Sequence, residues 1–228
     1  MTIHFEKELE KLKKRILSLG AMVEDRVRMA IKALEKRDGS LANRVIEADG
    51  EIDQLEVDIE EECLKLLALH QPVAIDLRFI IAVIKINNDL ERIGDLAVNI
   101  AERAAFLSSQ KKLDVLFDFP GMAEKTQSML KRSLDALVNM DSALALEVCA
   151  SDDEVDEMNR EMFIWVQDSI RKDTNRLDCL IHLLSASRHL ERVADCATNI
   201  AEDVVYMIEG QIVRHRAENF KSQGLRHT

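Results

Sequence analysis

The sequence contains few of the residues that form turns and few aromatic residues. Two prolines and seven glycines occur among the 228 residues, and Phe, Trp and Tyr together make up 4%. Proline and glycine form roughly 12% of an average soluble protein, so both are scarce here. This scarcity disfavours β-sandwiches, β-barrels and glycine-rich nucleotide-binding folds. It is typical of a chain that folds into long helices with few loops.

An excess of positive charge is also lacking. The chain carries 31 Lys and Arg against 42 Asp and Glu, which gives a net charge of −11. Such a protein has no long-range field that attracts DNA, RNA or anionic lipid. We therefore expect no nucleic-acid partner, and contact with a membrane only through other proteins. Cations and basic protein surfaces are the partners that this charge favours.

Long hydrophobic runs and closely paired cysteines are absent. The longest apolar run, residues 79–84, ends at Lys85 and is far shorter than the roughly 20 residues of a membrane span. Residues 1–14 are charged and lack the apolar core of a signal peptide. No Cys-x-x-Cys pair exists among the four cysteines, which are Cys63, Cys149, Cys179 and Cys196. The sequence thus predicts a cytoplasmic protein with reduced thiols in its core.

The chain contains an internal repeat. Residues 91–102 reappear at residues 191–202, and residues 49–53 reappear with substitutions at residues 152–156. A unit of about 100 residues has the size of an ordinary domain. We predict an all-α fold of two tandem three-helix bundles, related by internal duplication and pseudo-twofold symmetry. The bundles are expected at residues 1–110 and 111–220, followed by a polar tail at 221–228.

Each unit has the pattern of a helix, a short helix, a third helix and a long fourth helix. In the first unit, Asp38 and Gly39 end the first helix, and Ser40 is predicted to cap the short one. Pro72 should stop the third helix. Asp76 is predicted to cap the long helix, which runs to about residue 107.

Acidic residues form stripes along the third and fourth helices of each unit. At about 100° per residue, the acidic residues of each long helix share a face opposite its apolar face. On the long helices this face carries Glu91, Asp95, Asn99 and Glu102, and in the second unit Glu191, Asp195, Asn199 and Glu202. The preceding helices carry Asp49, Asp53, Glu56 and Glu60, and in the second unit Asp152 and Asp156.

Two interpretations of these stripes remain open. Like charges four residues apart repel by a few tenths of a kcal/mol, and a bound cation relieves that repulsion. Carboxylate clusters suit Mg, Mn, Ca or iron better than metals that prefer thiolates. The alternative is an ordinary solvated acidic face, with Arg92 and Arg192 as salt-bridge partners.

Several ordered motifs resemble those of the PhoU family of regulators of phosphate uptake and phosphate signalling. They are residues 90–95 (LERIGD), their repeat at 190–195 (LERVAD), residues 44–49 (RVIEAD), residues 71–78 (QPVAIDLR) and the early residues 22–24 (MVE). The resemblance covers nearly the whole chain. It implies two three-helix bundles with multinuclear metal clusters, in a cytoplasmic homodimeric adaptor. Such an adaptor links the ATPase subunit of a phosphate ABC transporter to a sensor histidine kinase.

The resemblance also implies metal ligands at particular positions. The family's Glu/Asp-x-x-x-Asp motifs fall on Asp49, Asp53, Glu91, Asp95, Asp152, Asp156, Glu191 and Asp195, with Asn99, Glu102, Asn199 and Glu202 as weaker candidates. Divalent or iron cations are implied, namely Fe, Mn, Mg or Zn. The second unit lacks the QPVAIDLR segment, whose simplest interpretation is a helix stop followed by an N-cap.

No catalytic constellation is visible in the sequence. A ferritin-like di-metal enzyme requires Glu-x-x-His on two helices, and no histidine here has an acidic residue three positions before it. Phosphate-binding glycine loops and nucleophile elbows are missing as well. We therefore expect no enzyme but a metal-binding adaptor that negatively regulates the phosphate regulon. The alternative is a metal-free helical scaffold that binds basic partner surfaces.

Overall fold

The computed structural model describes residues 3–111 and 118–210, so the predicted polar tail at 221–228 lies outside the described residues. The first unit comprises α1 (Ile3–Lys36), α2 (Gly39–Glu47), α3 (Gly50–His70) and α4 (Ala74–Ser108). The second comprises α5 (Phe119–Asn139), α6 (Ser142–Ala150), α7 (Asp152–Lys172), a 3₁₀ turn (Thr174–Arg176) and α8 (Leu177–Glu209). These ranges contain no strand, so the all-α prediction is confirmed.

The starts of the short helices follow the same rule in both units. Asp38 and Asp141 have extended backbones, and their carboxylates accept the N–H groups of Leu41 and Leu144 at 3.0 Å. The prediction that Ser40 caps α2 is wrong, because Ser40 already lies inside the helix. An N-cap needs a non-helical backbone just before the first turn, and Asp38 has it.

The long helix α4 begins earlier than predicted. Its N-cap is Val73, whose extended backbone precedes Ala74 and provides no side-chain bond. Asp76 lies within the first turn, where its negative charge interacts favourably with the positive end of the helix dipole. The expectation that Asp76 caps the helix is therefore wrong. Pro72 follows the end of α3 at His70, as predicted.

The two long helices form the centre of the molecule. α4 and α8 pack against each other most extensively, α1 packs on α4, and α5 packs on α8. One continuous core contains buried apolar residues from both units, including Leu90, Ile93, Leu190 and Val193. Burying these stripes supplies the main driving force of folding. The two units therefore share a core.

The duplication is visible in the exposure of the side chains. Residues 84–101 of α4 and residues 184–201 of α8 alternate between buried, half-buried and exposed in the same order at every position. Their outer partners, α1 and α5, also contact each other. This arrangement agrees with the predicted pseudo-twofold symmetry. It places the acidic faces of α4 and α8 at equivalent positions of the molecule.

Polar contacts at the interface of α4 and α8 break this symmetry. Lys85 Nζ lies 3.1 Å from Asp203 Oδ1 and 5.0 Å from the ring centre of Tyr206. At the other end of the interface, the rings of Phe106 and His182 stack with their centres 3.7 Å apart. The two ends of the interface thus differ in chemistry.

The cysteines and the apolar stretches behave as the composition suggests. All four cysteines are free thiols; Cys63 and Cys196 are buried, and Cys149 and Cys179 are half-buried. Burial raises the pKa of Cys63, Cys149 and Cys196 to about 12, so these thiols stay protonated. None of the described helices combines the length and apolar character that crossing a membrane requires.

Candidate metal centre

The third and fourth helices of each unit approach closely beneath the acidic faces. In the first unit a Cβ on Gly94 would lie 3.2 Å from Cδ1 and Cγ2 of Ile52. The equivalent pair in the second unit is Ala194 and Val155, both buried. Compared with the first unit, the second has one methyl group fewer on its third helix, at Val155, and one more on its fourth helix, at Ala194. The packed volume is therefore nearly the same in both units. Both units thereby hold the same two acidic stripes side by side.

In the second unit, α7 and α8 bring three carboxylates together. Oxygens of Asp156, Glu191 and Asp195 all lie within 4.8 Å of one another. Glu191 and Asp195 are one helical turn apart on α8, and Asp156 faces them from α7. Among the described residues, this is the one group of three His, Cys, Asp or Glu side chains that is so compact. The spacing suits a single cation.

Asp152 belongs to the same cluster, because the charges of Asp195 and Asp156 act on its carboxylate. Burial, followed by the charges of Asp195 and Asp156, raises the pKa of Asp152 to about 6. The hydroxyl of Thr198 donates to Asp152 Oδ1 at 3.3 Å and partly opposes that rise. The pKa of Glu191 is raised by burial and then by Asp195 and Asp156. Four carboxylates therefore repel one another here.

The first unit contains the equivalent four carboxylates in a looser arrangement. Burial, Asp53 and Asp95 raise the pKa of Asp49. Burial, Asp95, Glu56, Asp53 and Asp49 raise the pKa of Glu91. None of the ion pairs in the described ranges includes Asp49, Asp53, Glu91 or Asp95. The predicted residues of both motifs thus face each other across α3 and α4.

Glu56 is a further carboxylate of the first cluster, although the family motif does not include it. Asn87 Nδ2 donates to the backbone oxygen of Glu56 at 2.9 Å and to its Oε1 at 3.1 Å. In the second unit, Ser187 donates to Asn159 Oδ1 at 2.8 Å, at the equivalent positions. The acidic stripe in the sequence contained Glu56, which is three residues after Asp53. Only the first unit has this extra charge.

The weaker candidates make other contacts. Asn99 Nδ2 donates to the backbone oxygen of Asp95 at 2.8 Å, and Asn199 Nδ2 donates to Asp89 Oδ1 at 3.3 Å. Glu102 forms a 2.8 Å ion pair with Arg103. Glu202 is half-buried, and its charge contributes to the raised pKa of the Cys149 thiol. As metal ligands, these four residues stay predictions and are weaker candidates than the paired acidic motifs.

Arginines do not neutralise the second cluster. Arg92 and Arg192 form no ion pair within the described part of the chain, although both oppose the rise in the pKa of Asp195. Asp156 has only a long contact of 3.9 Å, with Arg160. The expectation of ordinary salt bridges from Arg92 and Arg192 is therefore wrong. Both arginines are exposed, and they act on Asp195 through their charge without forming an ion pair with it.

The donor atoms decide which cations fit. Every candidate ligand in the two clusters is a carboxylate oxygen, and no cysteine or histidine joins the compact group. Hard cations such as Mg, Mn and Ca take oxygen ligands, whereas structural zinc is usually bound by nitrogen and sulfur. The residues present fit Mg, Mn, Ca or iron better than Zn. A cation held by Asp156, Glu191 and Asp195 would offset the repulsion that, after burial, raises the pKa values of Glu191 and Asp195.

The titration of Asp152 predicts a pH dependence of stability. Because its folded pKa of about 6 exceeds the ordinary 3.8, Asp152 destabilises the metal-free fold increasingly as the pH rises from about 4 to about 6, and the full penalty is present above that. Asp152→Asn should raise the free energy of unfolding of the chelated protein by about 1–2 kcal/mol near pH 7, allowing for solvent screening. That gain should shrink toward zero as the pH falls to about 4. Urea unfolding at several pH values measures it.

A gain that grows at acidic pH, or a variant less stable near neutral pH in chelator, would contradict this assignment. Asp168→Asn is the matched control, because Asp168 is exposed and lies outside both clusters. Its effect should stay within about 0.5 kcal/mol at every pH.

The family model and similar curated proteins identify the same family. The PhoU domain model matches residues 16–104 and 119–204. A phosphate-specific transport system accessory protein PhoU homolog of Clostridium acetobutylicum is 38% identical over 92% of this chain and 96% of its own length. A homolog of the same name from Aquifex aeolicus is 38% identical over 96% of this chain and 98% of its own.

Solved structures agree with the sequence matches. The crystal structure of PhoU from Pseudomonas aeruginosa superposes with a TM-score of 0.88 at 36% identity, and covers 91% of this chain and 100% of that one. The phosphate transport system regulatory protein PhoU from Streptococcus pneumoniae superposes with a TM-score of 0.80 at 30% identity, over 92% and 99% of the two chains.

Proposed function

The chain belongs to the PhoU family, and from that premise we propose that it is an accessory protein that regulates phosphate uptake and phosphate signalling. The match of both repeats over nearly the whole chain carries this proposal. The relatives are named accessory proteins of a phosphate-specific transport system. The proposed location is the cytoplasm, where the protein meets the inner face of the transporter.

The proposed mechanism is a partner interface and not a chemical reaction. In its finer form, the protein links the ATPase subunit of a phosphate ABC transporter to a sensor histidine kinase, and does so as a homodimer. It lowers uptake and holds the kinase off when phosphate is plentiful. The two acidic faces of α4 and α8 support this form, because they offer equivalent surfaces for basic partner segments.

We assign the metal centres a structural and electrostatic role. Asp49, Asp53, Glu91 and Asp95 would hold cations in the first unit, and Asp152, Asp156, Glu191 and Asp195 in the second. A bound cation supplies positive charge that the carboxylates lack. The side chains fix α3 against α4, and α7 against α8, and so shape the surface that partners meet. The raised pKa values of Glu91 and Asp152, to which neighbouring carboxylates contribute after burial, support this role.

The second candidate function is a metal-free scaffold. The same acidic faces would then bind basic partner surfaces directly, since exposed acidic groups attract lysine and arginine without a cation. Metal analysis of protein purified without chelator separates the two candidates. Stoichiometric Mn, Mg, Ca or Fe supports the metal centre. A protein that binds its partners without any of them supports the scaffold.

Deleting the gene should raise expression of phosphate-regulated genes in medium with abundant phosphate. A reporter for such a gene measures the effect, and the wild-type protein should restore repression. Glu91→Gln/Glu191→Gln should restore it only in part if cations shape the partner surface. The control is Glu6→Gln/Glu10→Gln on the exposed face of α1, which should repress fully.

Normal repression in the deletion strain would overturn the regulatory proposal. Full repression by the Glu91→Gln/Glu191→Gln variant would leave the adaptor in place and favour the metal-free scaffold. A pull-down of the transporter's ATPase subunit with each variant distinguishes lost binding from lost folding.

A further inference from the structure

A groove of about 400 Å³ runs along the first half of α8, and none of the carboxylates of the acidic clusters lines it. A volume of this size is in the range of small-ligand sites. Its lining combines two guanidinium groups, an imidazole, a hydroxyl and two apolar side chains: Ile181, Leu184, Ser185, Arg188, His189 and Arg192. The chain as a whole has a net charge of −11. The basic lining of this groove therefore does not reflect the overall composition and arises from residues at this place in the fold.

The internal repeat shows why positive charge accumulates here. Position 185 is equivalent to position 85, and position 103 is equivalent to position 203. At one end of the interface, Lys85 and the buried Asp203 neutralise each other. At the other end Ser185 replaces the lysine and Arg103 replaces the aspartate. The second end therefore carries a cation where the first end carries an internally compensated pair.

Ion pairs offset little of the positive charge that lines the groove. Arg188 and Arg192 are exposed and form no ion pair within the described residues. Arg103 forms one ion pair within the described ranges, with Glu102 at 2.8 Å. After burial, the positive charge of Arg103 lowers the pKa of His182, which adjoins the groove residue Ile181, and Asp178 only partly opposes this. The lining itself therefore carries positive charge, while Glu191 and Asp195 of the neighbouring cluster interact with Arg188 and Arg192 without forming ion pairs in the described part of the chain.

Buried nitrogen atoms near the groove have unused hydrogen-bonding capacity. Arg103 Nε, His182 Nδ1 and His189 Nδ1 are buried without a hydrogen-bond partner in the described part of the chain. His189 Nε2 is within 3.2 Å of the hydroxyl of Ser185. Buried polar atoms are normally satisfied, so unsatisfied ones mark places where a ligand or water completes the site.

We propose that this groove binds a phosphoryl group. Two forked guanidinium groups, a hydroxyl and an imidazole are the donors that recognise a tetrahedral dianion with several acceptor oxygens. The inference names a ligand for the regulator proposed above, and it rests on that function only for its biological role. The phosphoryl group belongs either to free inorganic phosphate or to a phosphate ester. Ile181 and Leu184 offer an apolar surface to the organic part of an ester.

Calorimetric titration of the purified full-length protein tests the proposal. Chelator is present, so that phosphate bound through a metal does not contribute. Inorganic phosphate and AMP are titrated separately, and the tighter of the two identifies free phosphate or an ester as the source. We expect saturable binding with one site per chain and a Kd at or below about 1 mM.

Arg188→Gln/Arg192→Gln should weaken binding at least about tenfold, since it removes both guanidinium groups that donate charge-assisted hydrogen bonds to the phosphoryl oxygens. Arg28→Gln, an exposed arginine on α1, is the matched control and should bind like the wild type. The single variants, each expected to weaken binding severalfold, keep the test valid if the double variant unfolds. Thermal melting checks folding.

Absence of saturable binding of either compound below about 10 mM would overturn the proposal. Equal affinity in the wild type and in both folded single variants would overturn it as well. Neither result would affect the regulatory function, which the deletion strain tests independently.

Discussion

Lys85→Met should lower the free energy of unfolding by about 3 kcal/mol, because it leaves the carboxylate of Asp203 buried without its lysine. Asp203 is 2% exposed, and its Oδ1 lies 3.1 Å from Lys85 Nζ. The pair joins α4 to α8 across the interface of the two units. Its loss therefore weakens the contact on which the shared core depends. Chemical denaturation of the wild type and of Lys85→Met at neutral pH measures the difference in the free energy of unfolding.

A second substitution tests the cause. Lys85→Met/Asp203→Leu removes both charges, and replacing a buried pair with apolar residues is often neutral, so most of the stability should return. Arg171→Met breaks the exposed pair with Asp168 and should cost less than about 1 kcal/mol. If Lys85→Met lowers the free energy of unfolding by no more than Arg171→Met does, the pair of Lys85 and Asp203 does not join the units.

Saturating Mn²⁺ should stabilise the chelator-treated protein by about 2.7 kcal/mol at a free concentration one hundred times its Kd. The stabilisation arises because the cation binds the assembled carboxylates of the folded state. Glu191→Gln/Asp195→Asn converts two of the three carboxylates of the compact group into neutral amides. It should therefore abolish the part of the stabilisation that comes from the second unit. Thermal melting at several Mn²⁺ concentrations measures the gain.

In chelator, the difference in stability between Glu191→Gln/Asp195→Asn and the wild type should have the opposite sign. The same variant relieves repulsion with Asp152 and Asp156, so without metal it should be more stable than the wild type near pH 7. Glu6→Gln/Glu10→Gln removes two carboxylates at the same spacing on α1 and should change neither response. A wild-type melting temperature that is unaffected by Mn²⁺ and by chelator would exclude a stabilising metal centre.

Local sequence was sufficient to predict the helices and much of the candidate site. The helical spacing of apolar residues, with so few glycines and prolines, indicated the helices, and α3 ends at His70 as predicted. Glu91 and Asp95 are one turn apart, so a helix must place them on one face. Sequence was less reliable at helix starts. Ser40 and Asp76 are acceptable caps chemically, and the backbone conformation of Asp38 and Val73 decided otherwise.

The repeat established by itself that each unit would have the same order of helices, equivalent apolar faces and the same paired acidic motifs, although the stripe of the third helix is shorter in the second unit. Only the tertiary structure decided which stripes meet, that three oxygens in the second unit lie within 4.8 Å, and that Lys85 reaches Asp203. The physical reason is that periodicity specifies which side of a helix is buried, but not its rotation and offset against a helix 100 residues away. Those depend on packing, such as the exchange of a methyl group between Ile52–Gly94 and Val155–Ala194.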